Sequence, residues 1–212
     1  AVFGRFEPEA VLVETATAKQ LTRLKNGGRG ATLSADGKRV LVAGNGKVIR
    51  TVDIMTGKES EISSSNDLYP ERVRSLPNGD MLLSDHGRLE RWDPRTEKRA
   101  WLVDWLSGPD LQVAPNAAWA VQYAPHGLSV IDLKKGKRKF HTYEDSFTSA
   151  QFSPDSKKLA ITTASGLVLL RDAATGKALP ASPELVGAVS HLTFSSDSKT
   201  LSAMSGDKWH RW

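Results

Sequence analysis

A five-residue phrase returns along this chain at nearly even intervals. It reads SADGK around Asp36, LPNGD around Asn78, APNAA around Asn116, SPDSK around Asp155 and SSDSK around Asp197. Pro presets φ for a turn, and Asp, Asn and Ser bond their own backbone there, so each phrase reads as a tight turn. A short apolar run follows each one, at 40–43, 81–84, 119–123, 159–163 and 201–204. A second run follows at 48–52, 89–92, 128–131, 167–170 and 208–212. A repeat of roughly 40 residues with this content is one supersecondary unit, and such units must stack to bury their faces.

The stretch 150–179, AQFSPDSKKLAITTASGLVLLRDAATGKAL, shows the unit most fully. Residues 151–153 form a strand that stops at Pro154. Residues 159–163 form the next, rich in β-branched side chains. A turn at Ala164-Ser165-Gly166 leads into Leu167-Val168-Leu169-Leu170, which is apolar without alternation and so covered on both faces. Thr175-Gly176-Lys177 turns the chain again, and residues 177–179 begin a fourth strand. Four antiparallel strands stacked sheet on sheet make an all-β chain, and the simplest object of that kind is a β-propeller of four-stranded blades.

The N-terminus is out of phase with the rest. Residues 11–14 read as a third strand, Thr17-Ala18-Lys19 matches Thr56-Gly57-Lys58 and Thr175-Gly176-Lys177, and residues 20–24 read as a fourth strand. One domain over 1–212 is expected: a partial blade at 10–30, blades at about 31–72, 73–110, 111–149 and 150–191, and a partial blade at 192–212. That amounts to about five blades and an incomplete ring, whose bare end blades would self-associate. Residues 20–24 could also serve as the fourth strand of the blade ending at Trp212. The opening residues AVFGRFEPEA lack the charged head and apolar run of a signal peptide. They also lack an initiator Met, so the chain is expected to be processed or cut from something longer.

The pattern resembles the WD-repeat β-propeller family over about 10–212. A small-Pro-Asp-Gly turn, a closing Trp-Asp pair and a Thr-Gly-Lys turn recur here in register. Trp92-Asp93 is the intact pair; Val52-Asp53, Ile131-Asp132 and Arg171-Asp172 hold its place elsewhere, and Trp212 holds the place of the Trp. The chain departs from the family in having no Gly-His dipeptide. The resemblance implies that the family's His bonds a Ser or Thr, an Asp and the Trp within a blade, and the second blade alone keeps Ser84, Asp85 and Trp92. Apolar packing must carry the blades.

Composition removes several classes. Hydrophobic residues make up 39% of 212, enough for a sizeable core, and there is no cysteine, so no disulfide framework or thiolate chemistry. No apolar run is long enough to span a membrane as a helix. The net charge is +5, and Lys134-Lys135-Gly136-Lys137-Arg138-Lys139 carries as much by itself. The chain therefore has no general basic footprint, and no specific nucleic-acid partner is expected. The basic run falls between a third and a fourth strand. It either guards an exposed edge strand or touches phosphates or an acidic protein, with Phe140, His141 and Tyr143 beside it to stack on bases.

No G-x-S-x-G, H-E-x-x-H or phosphate-loop motif is present. Gly27-Gly28-Arg29-Gly30 reads as a connecting loop. His86 and His126 occupy equivalent turns of adjacent blades, too far apart for ligands of one zinc ion. No cofactor and no metal is expected. The reading is a non-catalytic scaffold for a protein or peptide partner. Its binding face is formed by the loops between second and third strands and between fourth and first strands. Candidates there are Arg29, Asn45, Tyr69, Arg72, His86, Trp105, His126 and Phe147. The rival is a propeller enzyme or cofactor-binding domain of quinoprotein-like or lactonase-like type. Its channel would be lined from the first-strand starts, where the chain offers Arg74, Asp110, Ser149 and His191.

Overall fold

The computed structural model describes all residues except 1, 5–8, 15, 26–29, 44–45, 64–68, 86–87, 97, 105–109, 125–126, 143–145 and 181–188. Among the described residues every regular element is a β-strand. The chain divides into two compact units, Ala1–Asp104 and Trp105–Trp212.

The first unit holds three antiparallel sheets. Strands β1 (Val2–Gly4), β2 (Glu9–Val13) and β3 (Gln20–Lys25) form the first. Strands β4 (Gly30–Leu33), β5 (Arg39–Ala43), β6 (Val48–Asp53) and β7 (Glu59–Ser63) form the second. Strands β8 (Arg72–Ser75), β9 (Met81–Ser84), β10 (Arg88–Asp93) and β11 (Lys98–Asp104) form the third. The second unit also holds three. They are β12 (Asp110–Val113), β13 (Trp119–Ala124), β14 (Gly127–Asp132) and β15 (Lys137–Thr142); then β16 (Phe147–Phe152), β17 (Lys158–Thr163) and β18 (Val168–Asp172); then β19 (Val189–Phe194), β20 (Leu201–Ser205) and β21 (Lys208–Arg211). Every sheet runs up and down in chain order.

The expected strands are present within a few residues of their expected bounds, with two differences. Strand β1 extends the opening sheet to Val2, because a three-residue strand carries no periodic signal. The fourth strand expected at 177–179 is reduced to one bridge, Arg171 with Ala178. Pro180 has no N–H to extend the ladder. Strand β3 pairs with β2 along its length.

Alternation decides the packing. Side chains of a strand point to opposite faces in turn. In β5, Leu41 and Ala43 join Val73, Met81, Leu83 and Trp92 of the following sheet. Val40 and Val42 join Leu12 of the preceding one. In the second unit, Leu159 and Ile161 of β17 pack with Val121, Leu128 and Val130. Ala160 packs with Val189, Leu201 and Ala203. Strand β18 is covered on both sides as expected, with Leu169 against one cluster and Val168 and Leu170 in the other. In each unit consecutive sheets meet through their early strands, β4 beside β8 and β16 beside β19.

The first-to-second and third-to-fourth connections close at one end of a sheet, and both are specified by short polar side chains. In the first turn, Ser34 Oγ donates to Asp36 Oδ1 at 2.5 Å, and the backbone N–H groups of Lys38 and Arg39 bond Asp36 and Ser34. Ser153 with Asp155 and Ser195 with Asp197 repeat this box. The last turn residue is left-handed in every copy: Gly37, Gly79, Ala117, Ser156 and Ser198. In the second turn, Asp53 accepts from the N–H groups of Met55 and Thr56 and from Thr56 Oγ1, and Asp172 accepts likewise from Thr175. Glu14 with Thr17 and left-handed Ala18 is a variant of it. The Asp that ends each of these third strands is therefore a turn cap. Hydrogen bonds hold Asp36, Asp53, Asp155, Asp172 and Asp197 below the usual carboxylate range.

Candidate functional site

The two hairpin turns share one end of each sheet, so the 2–3 and 4–1 connections share the other. Of the candidates at that second end, Arg29, Asn45, His86, Trp105 and His126 lie outside the described residues. Tyr69, Arg72 and Phe147 are described.

Tyr69 precedes β8 and is 58% exposed. The ammonium of Lys47, from the loop before β6, lies 5.1 Å from its ring centroid. A cation at that distance is attracted by the ring face. The side chains of two neighbouring sheets thus meet at this end of the first unit. Pro70 and Glu71 behind Tyr69 are buried, which anchors the segment. Arg72 is half-buried, and its Nη1 donates to the Glu71 carbonyl at 3.1 Å. Gly30 makes this placement feasible. A Cβ there would lie 2.9 Å from the Glu71 carbonyl oxygen and 3.0 Å from Arg72 Cδ, so β4 can lie against the start of β8 only with glycine at this position.

Phe147 is a correction. It opens β16 and is 3% exposed, packed with Tyr123, Leu128 and Ile161. A first-strand residue on the sheet's apolar face is core, and its ring has no surface to offer a partner.

Three residues of the rival set, Arg74, Ser149 and His191, have described side chains. Arg74 Nη1 donates to the Val73 carbonyl at 3.0 Å. Ser149 is half-buried within β16. His191 is exposed at φ +53° and meets Trp209 edge-on at 6.4 Å. The side chain of Asp110 lies outside the described residues. Among the described residues, no group of three His, Asp or Glu could hold a metal ion.

The tryptophans divide by sheet position. Trp92 is buried in the core, with the Arg99 guanidinium 4.8 Å from its ring. Among the described residues its Nε1 and the Ser84 hydroxyl have no hydrogen-bond partner, and Asp85 accepts from the N–H of Arg88. The family's bond network is therefore not formed by Ser84, Asp85 and Trp92. Trp119 is half-buried under the Lys139 ammonium, at 4.4 Å. Trp209 and Trp212 are exposed, and Trp212 stacks on His210.

Two charged clusters escaped the sequence reading. Glu90, 1% exposed, accepts from Arg99 Nη1 at 2.9 Å, and its second oxygen has no partner among the described residues. Asp80, also buried, is held by Arg91 at 2.6 Å and Arg95 at 3.3 Å. The signal for the first was a carboxylate between Leu89 and Trp92 in an expected strand. The basic run stands where expected. Lys134 and Lys135 lie in the β14–β15 turn, and Lys137, Arg138 and Lys139 lie exposed on β15, the outermost strand of its sheet.

Neither the family models nor the curated proteins with which the chain was compared match it.

Proposed function

We propose that the chain is a WD-repeat-like β-propeller scaffold that binds a protein or peptide through the loop end of its sheets. The observation that carries the reading is the exposed Tyr69, under the Lys47 ammonium on a segment anchored by buried Pro70 and Glu71 and followed in sequence by Arg72. A rigid aromatic with arginine beside it is the usual composition of an interface hot spot. The propeller part of the reading is supported within each unit, where early strands pack together and fourth strands form outer edges. The same two-turn chemistry recurs from sheet to sheet, as stacked equivalent repeats require. Association between copies through the β19–β21 face, where Trp209 is 61% exposed, belongs to the same reading.

The test is a peptide-display selection on the parent chain, repeated with Tyr69→Ala, Arg72→Ala and Trp105→Ala. A selected ligand should lose at least about tenfold in affinity with the first two, the range of a hot-spot residue. Ligands that bind all three variants as tightly as the parent would place the binding face elsewhere.

A further inference from the structure

We infer that the hairpin-turn end of the second unit is a lysine surface for an extended, Asp/Glu-rich peptide segment. Tyr69 belongs to the first unit, and the inference does not rest on the loop-end reading.

The basic run alone is a local feature of one hairpin. The structure adds cations from the next sheet. Turn 172–177 joins the two groups. On one side, the Ala173 N–H donates to the Lys157 carbonyl at 2.8 Å. On the other, Gly176 lies so close to Phe140 that a Cβ would sit 2.5 Å from the ring. Asp172, which caps this turn, also feels the charge of Lys139. Exposed Lys134, Lys135, Lys137, Lys139, Lys157 and Lys177 are thereby gathered at one end.

The carboxylates at this end serve the turns. Asp132 accepts from the N–H groups of Lys134 and Lys135, Asp155 from Ser153 and Lys157, and Asp172 from Thr175. Among the described residues, the one ion pair these lysines make is Lys135 with Asp132, at the outer limit of 4.0 Å. Lys139 is steadied by the Trp119 ring beneath it. The remaining ammonium groups keep their coulombic reach for an incoming anion.

The choice of anion follows from what else is present. Single-stranded nucleic acid is held by aromatic platforms on which bases stack. Here Trp119 lies under Lys139 and Phe140 lies against Gly176, both half-buried. Bidentate phosphate recognition favours arginine forks. Arg171 donates Nη1 to the Gly176 carbonyl instead, at 3.0 Å. Six exposed lysines outnumber the exposed fork of Arg138 and the exposed ring of Trp212 at this end, and their flexible point charges suit the separate, adaptable carboxylates of an acidic peptide.

The experiment is fluorescence anisotropy on the full chain with labelled oligoglutamate and with oligothymidylate of equal charge, at low and at physiological salt. The variant is Lys137→Gln/Lys139→Gln/Lys177→Gln, and the control is Lys19→Gln/Lys58→Gln in the first unit. Oligoglutamate should bind more tightly than oligothymidylate, and the triple variant should weaken it about tenfold, as loss of three exposed charge pairs implies. The control and Tyr69→Ala should leave it unchanged. Tighter binding of oligothymidylate would make this a nucleic-acid surface. Equal binding by the triple variant, or none by the parent at low salt, would overturn the inference directly. Unchanged urea midpoints for all variants would show that lost binding is not lost folding.

Discussion

Ser156 offers the sharpest test of how neighbouring sheets are joined. It sits at φ +62° in the turn before β17 and is buried, and its hydroxyl accepts the N–H of Asn116 from the preceding sheet at 3.0 Å. Ser198 repeats the arrangement one sheet later, accepting the N–H of Asp155 at 3.0 Å. The first unit puts Gly37 and Gly79 at this position, where left-handed backbone is free of strain. Serine in the second unit thus accepts strain in return for a cross-sheet bond. Ser156→Ala keeps the strain and loses the bond, which should cost about 1 kcal/mol. Ser156→Gly loses the same bond, relieves about 1 kcal/mol of left-handed strain, and gives back about 0.5 kcal/mol of unfolded-chain entropy. The glycine variant should therefore be about 0.5 kcal/mol more stable than the alanine variant, though still slightly below the parent. Urea unfolding followed by circular dichroism and tryptophan fluorescence would measure both, with midpoints moving at constant slope. If Ser156→Ala unfolds with the parent, the hydroxyl does not join the sheets. If Ser156→Gly is the weaker of the two, the strain argument fails.

Two further predictions concern buried charge and pH. Arg99→Leu should destabilise by about 3 kcal/mol because it strands the buried Glu90 carboxylate, and Glu90→Leu/Arg99→Leu should recover most of the loss; equal melting of parent and single variant would show that the pair is not coupled. The turn aspartates have folded pKa values depressed by their hydrogen bonds, so their contribution is complete above the ordinary carboxylate range and is lost as pH falls through it. His141 is also depressed, first by burial and then by Arg138, so its neutral ring favours folding and that contribution fades as pH falls through about 6.5. Melting temperature should show a shallow step near pH 6.5 that His141→Gln removes, and a steep fall below about pH 4; a flat profile down to pH 3 would refute both assignments.

The strand order was legible because the turn chemistry is written in sequence. Asp36 and Asp53 mark turns by the side-chain bonds they make, and those bonds are local. The apolar run 167–170 announced cover on both faces, because a strand with no polar side has none to show solvent. Phe147 was misread because it stands next to a loop, and only the register with Thr163 shows that its side chain points into the core. The Glu90–Arg99 pair depends on a hairpin register with an irregularity between Leu89 and Glu90, which no local pattern fixes. Lys157 and Lys177 read singly as ordinary surface residues. Turn 172–177 and its contact with Phe140 place them beside the basic run.

The alternation in β5 and β17 gives neighbouring positions opposite addresses. A methylene removed at Leu41 is felt by the sheet that follows, and one removed at Val42 by the sheet that precedes. In the second unit the division recurs with the parity reversed, Ile161 meeting the preceding sheet and Ala160 the following one. Mechanical disturbance in such a strand has a direction, set by which of its two faces the altered residue occupies. Two adjacent substitutions in one strand can therefore send their effects away from each other.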